Sequence, residues 1–367
     1  MSRGRPSVPL SRKPSYILLT HKSAEKYADD RYCHCPSVLI NNYTLHCVSR
    51  FISETLAEEY ITAVTQTMKS YVRSLRAPFL AGSIVPVVIG AATAFTAGAF
   101  SFPSLLVTAA GVAALHLAAN LLNDYYDAAG SDPVNVRLTP FSGGSRVIQN
   151  SEVPPWAILF MAIFFFILGT LAGIWLVSEG RPLVIVIGLL GLFAGWAYSA
   201  PPFQLMGKGW GETVIFFAFG PLVTLGTHYV IAGHLSLTAF LMGIPQGFFI
   251  TSVIWINQFP DYEADKKAGK ANLVVRMGPA PSRYAYCAMM IAAFITIIIM
   301  IAGGEVSFLT MFSFIAFPLA FKAMRILWKE YLSHEGIVPA QALTIQTLIA
   351  HGLLLSFGLF LGKALGV

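Results

Sequence analysis

Charge is scarce in this sequence. Of 367 residues only 11% are Asp, Glu, Lys or Arg, against about a quarter in an ordinary soluble domain. Hydrophobic residues make up 56%, and the deficit of charge points to a membrane protein. Cysteine is scarce as well. Cys33, Cys35 and Cys47 lie near the N-terminus and Cys287 stands alone, so no disulfide framework is implied, as fits a reducing or membrane setting. Cys33-His34-Cys35 with His46-Cys47 lacks the Cys-x2-Cys spacing of a usual zinc module, and we read these residues as structural or incidental. There is no short-period repeat, no apolar run near the N-terminus long enough for a signal-peptide core, and no apolar/polar alternation of the kind that marks barrel strands.

What remains is a set of long apolar runs. No charged residue occurs between Arg76 and Asp124, Glu152 and Glu179, Arg181 and Lys208, Glu212 and Asp261, Arg283 and Glu305, Glu305 and Lys322, or Glu335 and Lys363. A spanning helix needs roughly 20 such residues. The first and fourth runs are two spans long, broken at Pro103 and at Gly233-His234. In lipid the backbone must pair internally, so helices are the only option for runs this continuous. The expected fold is all-α, a polytopic membrane protein of nine transmembrane helices over 78–99, 103–126, 154–178, 182–201, 212–232, 236–259, 282–303, 306–323 and 340–364.

The formal net charge of +6 is a matter of topology and gives no reason to expect nucleic acid. With the N-terminus cytoplasmic, Arg137, Arg146, Lys208, Lys266, Lys267, Lys270, Arg276, Lys322, Arg325 and Lys329 fall on the inner side and Arg283 at a helix edge. Only Arg181 and Lys363 fall on the other, which is the positive-inside pattern. A bacterial cytoplasmic membrane is the expected location, with the lipid bilayer as the chain's surroundings. Residues 1–67 differ from the rest and read as an N-terminal extension, with Phe51, Ile52, Leu56, Tyr60, Ile61 and Val64 as a loose apolar stripe of a helix over 51–64. Residues 68–367 form the membrane domain, and a translation start at Met68 would leave it whole.

Two motifs carry chemistry. In Asn120-Leu-Leu-Asn123-Asp124-Tyr125-Tyr126-Asp127, Asn120, Asp124 and Asp127 fall at i, i+4 and i+7 and share a helix face. Gly130 is expected to end that helix, with Asp132 in the loop. In Asn257-Gln-Phe-Pro260-Asp261-Tyr262-Glu263-Ala-Asp265, Asn257, Asp261 and Asp265 fall at i, i+4 and i+8. Pro260 is expected to kink this helix or loosen its last turns. Both motifs end a span on the basic side. Ionisable groups at membrane depth are costly and usually functional, and clustered carboxylates repel unless a cation joins them. Magnesium takes one or two carboxylates and completes its shell with water and phosphate oxygens. Two facing Asp clusters therefore suit a magnesium diphosphate, with Asp124, Asp127, Asp261 and Asp265 as metal ligands and catalytic groups. Arg76, Arg146 in Gly143-Gly144-Ser145-Arg146, Lys208 and Lys270 are candidates for the phosphate oxygens. Tyr125, Tyr126, Tyr198, Phe259 and Tyr262 flank the proposed site and suit a cation through their π faces. His116 and His228 lie within spans and read as packed or hydrogen-bonded.

These residues resemble the UbiA superfamily of intramembrane prenyltransferases over about 78–365. Within it the likeness is greatest to the 1,4-dihydroxy-2-naphthoate branch of menaquinone synthesis, carried by Asn120 to Asp132, Gly143 to Ile148, Tyr198-Ser-Ala-Pro201-Pro202, Lys208 to Glu212, and Asn257 to Gly278. Positions 271–272 are Ala-Asn, where relatives often have a basic residue and Thr. The resemblance implies a helical bundle around a central cavity, with Asn120 and Asn257 orienting the carboxylates or touching phosphate. It implies magnesium-dependent transfer of a polyprenyl group from its diphosphate to an aromatic acceptor. Other acceptors of such enzymes (4-hydroxybenzoate, haem, chlorophyllide, a glycerol-phosphate lipid) stay open at this point. A membrane cation transporter is the rival of another class, disfavoured because the carboxylates sit at helix ends and not at the midplane.

Overall fold

In the computed structural model, residues 42–367 are described, with side chains from residue 57 onward apart from Glu59. The cysteine and histidine cluster at 33–47 and the stripe residues Phe51, Ile52 and Leu56 lie outside the described side chains. Every regular element among the described residues is helical. Helix α1 (Asn42–Ser74) runs well past the 51–64 stretch expected from sequence. Residues Thr62–Val367 form one compact unit, in which the last part of α1, from Thr62 on, is followed by α2 (Ala81–Thr96) and α3 (Phe102–Asp127). Next come α4 (Pro155–Ser178), α5 (Val184–Ser199), α6 (Gly211–Phe217) and α7 (Val223–Ala232). The chain closes with α8 (Leu237–Lys267), α9 (Leu273–Met277), α10 (Pro279–Ala302), α11 (Phe317–Glu330) and α12 (Val338–Leu365).

Eight of the nine expected spans are helices long and apolar enough to cross a membrane. The exception is α5. Its 16 residues rise about 24 Å, short of the roughly 30 Å hydrocarbon core. Pro182 and Pro201 bracket it, and the residue before a proline avoids the helical region. The fifth span is α6 and α7 joined by a π-turn at Ala218–Leu222 that contains Pro221, whose missing N–H and ring displace the regular ladder. Gly233 ends it in the left-handed region at φ 83°.

The helix ends are where structure and expectation part. Helix α3 is capped at Ala128, two residues before Gly130. Helix α8 runs unbroken through Pro245 and Pro260 to Lys267, two turns beyond the expected end at 259. Neighbouring helices tolerate proline in a membrane helix, and Pro260 lies buried against them. Asp261 and Asp265 therefore stand on helix.

Two apolar blocks hold the motif helices. Leu121 and Leu122 of α3 pack with Ile158 and Ala162 of α4. Phe249, Val253 and Ile256 of α8 pack with Tyr286, Met290, Phe294 and Ile297 of α10 and Leu348 and Leu355 of α12. Lipid is as apolar as leucine, so such contacts gain through close packing and internal hydrogen bonds. Tyr286 Oη meets Thr344 Oγ1 at 2.6 Å, and Trp255 Nε1 donates to the Ser282 carbonyl at 3.0 Å. Where the π-turn crosses α8 the backbones touch. A Cβ on Gly243 would lie 2.6 Å from the Pro221 Cα, and one on Gly220 would lie 2.6 Å from the Gly243 carbonyl oxygen.

That crossing predicts a stability effect. Gly243→Leu should lower the melting temperature of the detergent-purified protein, through a loss of stability at or above the about 1–3 kcal/mol of ordinary overpacking, because backbone cannot yield as a side chain can. Gly188→Ala, with nothing within 4 Å of its Cβ, should leave the melting temperature unchanged or slightly higher. Equal melting of both variants would contradict the close crossing.

Candidate active site

The two motifs face each other across a cavity of about 330 Å³. Its walls carry Arg76, Asn120, Asp127, Asn257, Asp261, Asp265 and Lys270 from the expected site residues. Asp124 lies just behind the wall, 3% exposed, and accepts from the Ser145 backbone N–H at 3.3 and 3.4 Å to its two oxygens. Arg76 Nη1 stands 3.8 Å from Asp124 Oδ1. Arg76 itself is in the left-handed region at φ 51°, a conformation that costs about 1–3 kcal/mol in a non-glycine residue and marks functional sites.

One cation bridges the motifs. Lys270 Nζ lies 2.8 Å from Asp127 Oδ1 and 3.5 Å from Asp265 Oδ1. Burial would lower the Lys270 ammonium, but the charges of Asp127 and Asp265 outweigh it and hold it above the ordinary lysine value. The chain reaches this position because α8 ends at Lys267 and Gly269 turns it back at φ 75°. The Lys270 N–H then donates to the Asp265 carbonyl at 2.9 Å.

Three side chains that sequence reasoning passed over hold the carboxylates. Asn135 Nδ2, from the loop after the first motif, donates to Asp261 Oδ1 of the second at 2.7 Å. Asn272 Nδ2 donates to Asp265 Oδ2 at 2.8 Å, and its Oδ1 caps α9 by accepting from Val275 N–H at 2.9 Å. Asn123 Nδ2 donates to Asp127 Oδ2 at 3.0 Å. Asn123 stood inside the first motif and Asn272 at the departure from the family pattern. Asn135 carried no sequence signal, since a lone loop asparagine has none. Asp132 is buried beneath the loop, accepting from Gln149 Nε2 at 2.8 Å. Burial, and after it the charges of Asp127 and Asp124, push its carboxyl up to about 7.

The other candidates are placed differently. Lys208 Nζ donates to the Pro202 carbonyl at 2.7 Å, and Arg146 donates to the Asp132 carbonyl; neither lines the cavity. Asn257 Oδ1 accepts from Gln341 Nε2 at 2.9 Å, while Asn120 Nδ2 is buried without a partner. Of the five expected aromatics only Tyr198 lines the cavity, joined by Phe79, Phe141 and Phe219. Phe259 belongs to the apolar core instead. His116, expected as a packed residue, is buried and paired with Ser83, and it also reaches the cavity.

The charge balance decides what the site can hold. Asp124, Asp127, Asp132, Asp261 and Asp265 converge, and the cations beside them are Arg76 and Lys270, with Arg146 on the Asp132 backbone. Among the described residues no three acidic, histidine or cysteine side chains are close enough to hold a metal by themselves. Magnesium does not ask for that, since one or two carboxylates suffice when phosphate and water complete the shell. The donors are hard oxygens on both sides of a cavity short of positive charge, so magnesium with a diphosphate fits.

The sequence model of the UbiA prenyltransferase family matches residues 83–336. The 1,4-dihydroxy-2-naphthoate octaprenyltransferase of Mycobacterium tuberculosis is 30% identical over 256 residues, 69% of this chain and 84% of the relative. The UbiA prenyltransferase domain-containing protein 1 of Gallus gallus is 27% identical over 311 residues, 82% of this chain and 87% of the relative. Among solved structures, a UbiA homologue from Archaeoglobus fulgidus bound to GPP and Mg2+ shares the fold at TM-score 0.54. It is 17% identical, over 78% of this chain and 99% of that one.

The Gly143-Gly144 turn gives the second prediction. Gly144 has φ 74°, and a Cβ there would lie 2.6 Å from Asp132 Oδ2. Gly144→Ala should push Asp132 and the Ser145 N–H off their positions and cut turnover by about a hundredfold, the cost of an ångström-scale misplacement. The melting temperature should fall by only a few degrees. Wild-type turnover in Gly144→Ala would show that the loop does not set the carboxylates.

Proposed function

This chain belongs to the UbiA prenyltransferase family and is a prenyltransferase, and from that premise we propose that it transfers a polyprenyl group from its diphosphate to 1,4-dihydroxy-2-naphthoate. The observation that carries the reading is the pair of aspartate motifs meeting across one cavity through Lys270. The name of the mycobacterial relatives supports the acceptor.

The diphosphate enters between α3 and α8, where Arg76 and Lys270 offset part of its charge. Asp124, Asp127, Asp261 and Asp265 would hold magnesium, which when bound neutralises the diphosphate and makes it a better leaving group. Asn135 and Asn272 keep Asp261 and Asp265 aimed. Departure of the diphosphate with the C1–O electron pair leaves an allylic cation. Phe79, Tyr198 and Phe219 on the wall offer it π faces. The apolar walls of Leu115, Ile187, Val223 and Ile254 exclude the water that would otherwise capture it. An electron-rich ring carbon attacks the cation, and loss of a proton or a carboxyl group restores aromaticity. The prenyl tail follows the apolar part of the cavity into lipid. The motif ends lie on the side richer in Lys and Arg, which supports a reaction at the cytoplasmic face.

Purified protein with magnesium, a radiolabelled prenyl diphosphate and a panel of acceptors tests this directly. Label should appear on 1,4-dihydroxy-2-naphthoate and vanish with a chelator. Label on 4-hydroxybenzoate instead would keep the reaction and replace the acceptor. Asp124→Asn and Asp261→Asn should each lower turnover by about a thousandfold, the scale of losing a charge-stabilising group, without loss of the folded state. Wild-type rates in both would remove the metal role.

A further inference from the structure

His116 lies one helical turn before Asn120 on α3, so it shares a face with Asn120 and Asp127, and all three line the cavity. It is only 7% exposed. Its Nδ1 is paired with Ser83 Oγ of α2, and its ring meets Phe219 edge-on with centroids 4.8 Å apart. The Nε2 atoms of His228 and His351 are buried without partners; His116 spends its Nδ1 on Ser83 and is itself a lining residue of the cavity. On the part of the wall away from the aspartates the other polar side chains include Thr108 and Thr227. Both spend their hydroxyls on their own helices, donating to the Ser104 and Val223 carbonyls at 2.7 and 2.8 Å. His116 is the one histidine on the wall among the described residues.

We propose that His116 receives the acceptor ring: in the tautomer that carries its proton on Nδ1 and donates it to Ser83 Oγ, its Nε2 accepts a hydrogen bond from a ring hydroxyl. This rests on the prenyl-transfer reading of the aspartate site and deepens it. With the proton on Nδ1 donated to Ser83, Nε2 keeps a lone pair. When the ring's π pair forms the new carbon–carbon bond, positive charge spreads to the hydroxyl oxygen. The hydrogen bond to Nε2 then strengthens in the transition state and not before, which is the condition for raising the rate. Nε2 takes the hydroxyl proton as the charge develops. The ring carbon next sheds its own proton to an oxygen of the departed diphosphate, or sheds carbon dioxide where it carried a carboxylate, and the proton on Nε2 returns to oxygen. The histidine ends unchanged. A ring with hydroxyls finds its polar partner at this depth in His116, about 6 Å along the helix from Asn120, while the diphosphate stays at the aspartates.

Two substitutions separate this role from packing. Asparagine places its amide near Nδ1 and preserves the link to Ser83; glutamine places its amide near Nε2 and loses that link. His116→Asn should raise KM for 1,4-dihydroxy-2-naphthoate or lower kcat, together at least about tenfold, the scale of one buried hydrogen bond. His116→Gln should keep more of kcat/KM than His116→Asn does. KM for the prenyl diphosphate should stay within about twofold in both. The reverse order, with asparagine restoring activity and melting temperature and glutamine not, would overturn the proposal in favour of packing. Should neither variant fold, the wild-type protein with the two mono-O-methyl ethers of the same naphthoate decides. At least one ether should lose transfer; full transfer to both would overturn the assignment. A wild-type protein that transfers label to no aromatic would remove the prenyl-transfer reading itself, whereas normal wild-type turnover matched by His116→Asn would remove only the role of His116.

Discussion

Five carboxylates have to share one pocket at the edge of a membrane, and the arrangement of the molecule follows from how their repulsion is met. Charges of one sign so close together raise each other's cost of ionisation unless cations or hydrogen-bond donors stand among them. Lys270 meets part of that demand by standing between Asp127 and Asp265, and Arg76 meets part beside Asp124. Amide donors do the rest: Asn135 on Asp261, Asn272 on Asp265, Asn123 on Asp127 and the Ser145 N–H on Asp124. These links also cross between the motifs. Asn135 follows the first motif yet holds the second, and Lys270 follows the second yet holds the first. The same contacts that make the acid cluster tolerable bring α3 and α8 together at their ends.

A cavity between these helices survives because each is gripped from behind. Helix α3 is packed on α4 and α8 on α10 and α12, leaving their opposed faces apart. In water such a gap would tend to collapse under the hydrophobic effect. In lipid there is little such drive, and close approach occurs where small residues allow it. The Gly220, Gly243 and Gly247 crossing draws the fifth span against α8. On the other wall Gly188 has open space beside it, and the cavity persists there. Glycine thus serves opposite ends at two places, contact in one and room in the other.

The spans were legible because charge is expensive in lipid, and the gaps between charged residues mark where lipid lies. The same logic misplaced the end of α8. The charged residues from Asp261 onward signalled a boundary to lipid, yet the helix continues to Lys267, because a helix leaves the membrane where its surroundings become polar and not where its hydrogen bonding stops. That Asp124 and Asp127 share a helix face with Asn120, at i+4 and i+7, and Asp261 and Asp265 one with Asn257, at i+4 and i+8, was legible from spacing alone. Asn135 and Asn272 were not, because a loop residue's partner depends on the tertiary path. Lys208 and Arg146 mark the opposite failure. A basic residue close in sequence to a phosphate-like motif satisfies the same pattern whether it turns to the ligand or, as here, to a carbonyl of its own loop.

The cavity is graded, and the grading orders the proposed chemistry. One end presents carboxylates, amides and two cations; the remaining wall is mainly aliphatic, with the Thr108 and Thr227 hydroxyls spent and one histidine, His116, among its residues. A prenyl diphosphate is itself graded, with a charged head and an apolar tail, so it has one favourable direction in such a space. That direction sets where its reactive carbon falls, just past the aspartates and near Asn120. A hydroxylated ring brought to that carbon must bury its oxygens in the apolar stretch, and an unpaired buried hydroxyl costs about 1–3 kcal/mol. A single acceptor nitrogen one turn deeper than Asn120 offsets that cost for a ring lying in one orientation. In the proposed reaction the polarity of the wall therefore sets both the direction in which the diphosphate lies and the face that the acceptor turns to the cation.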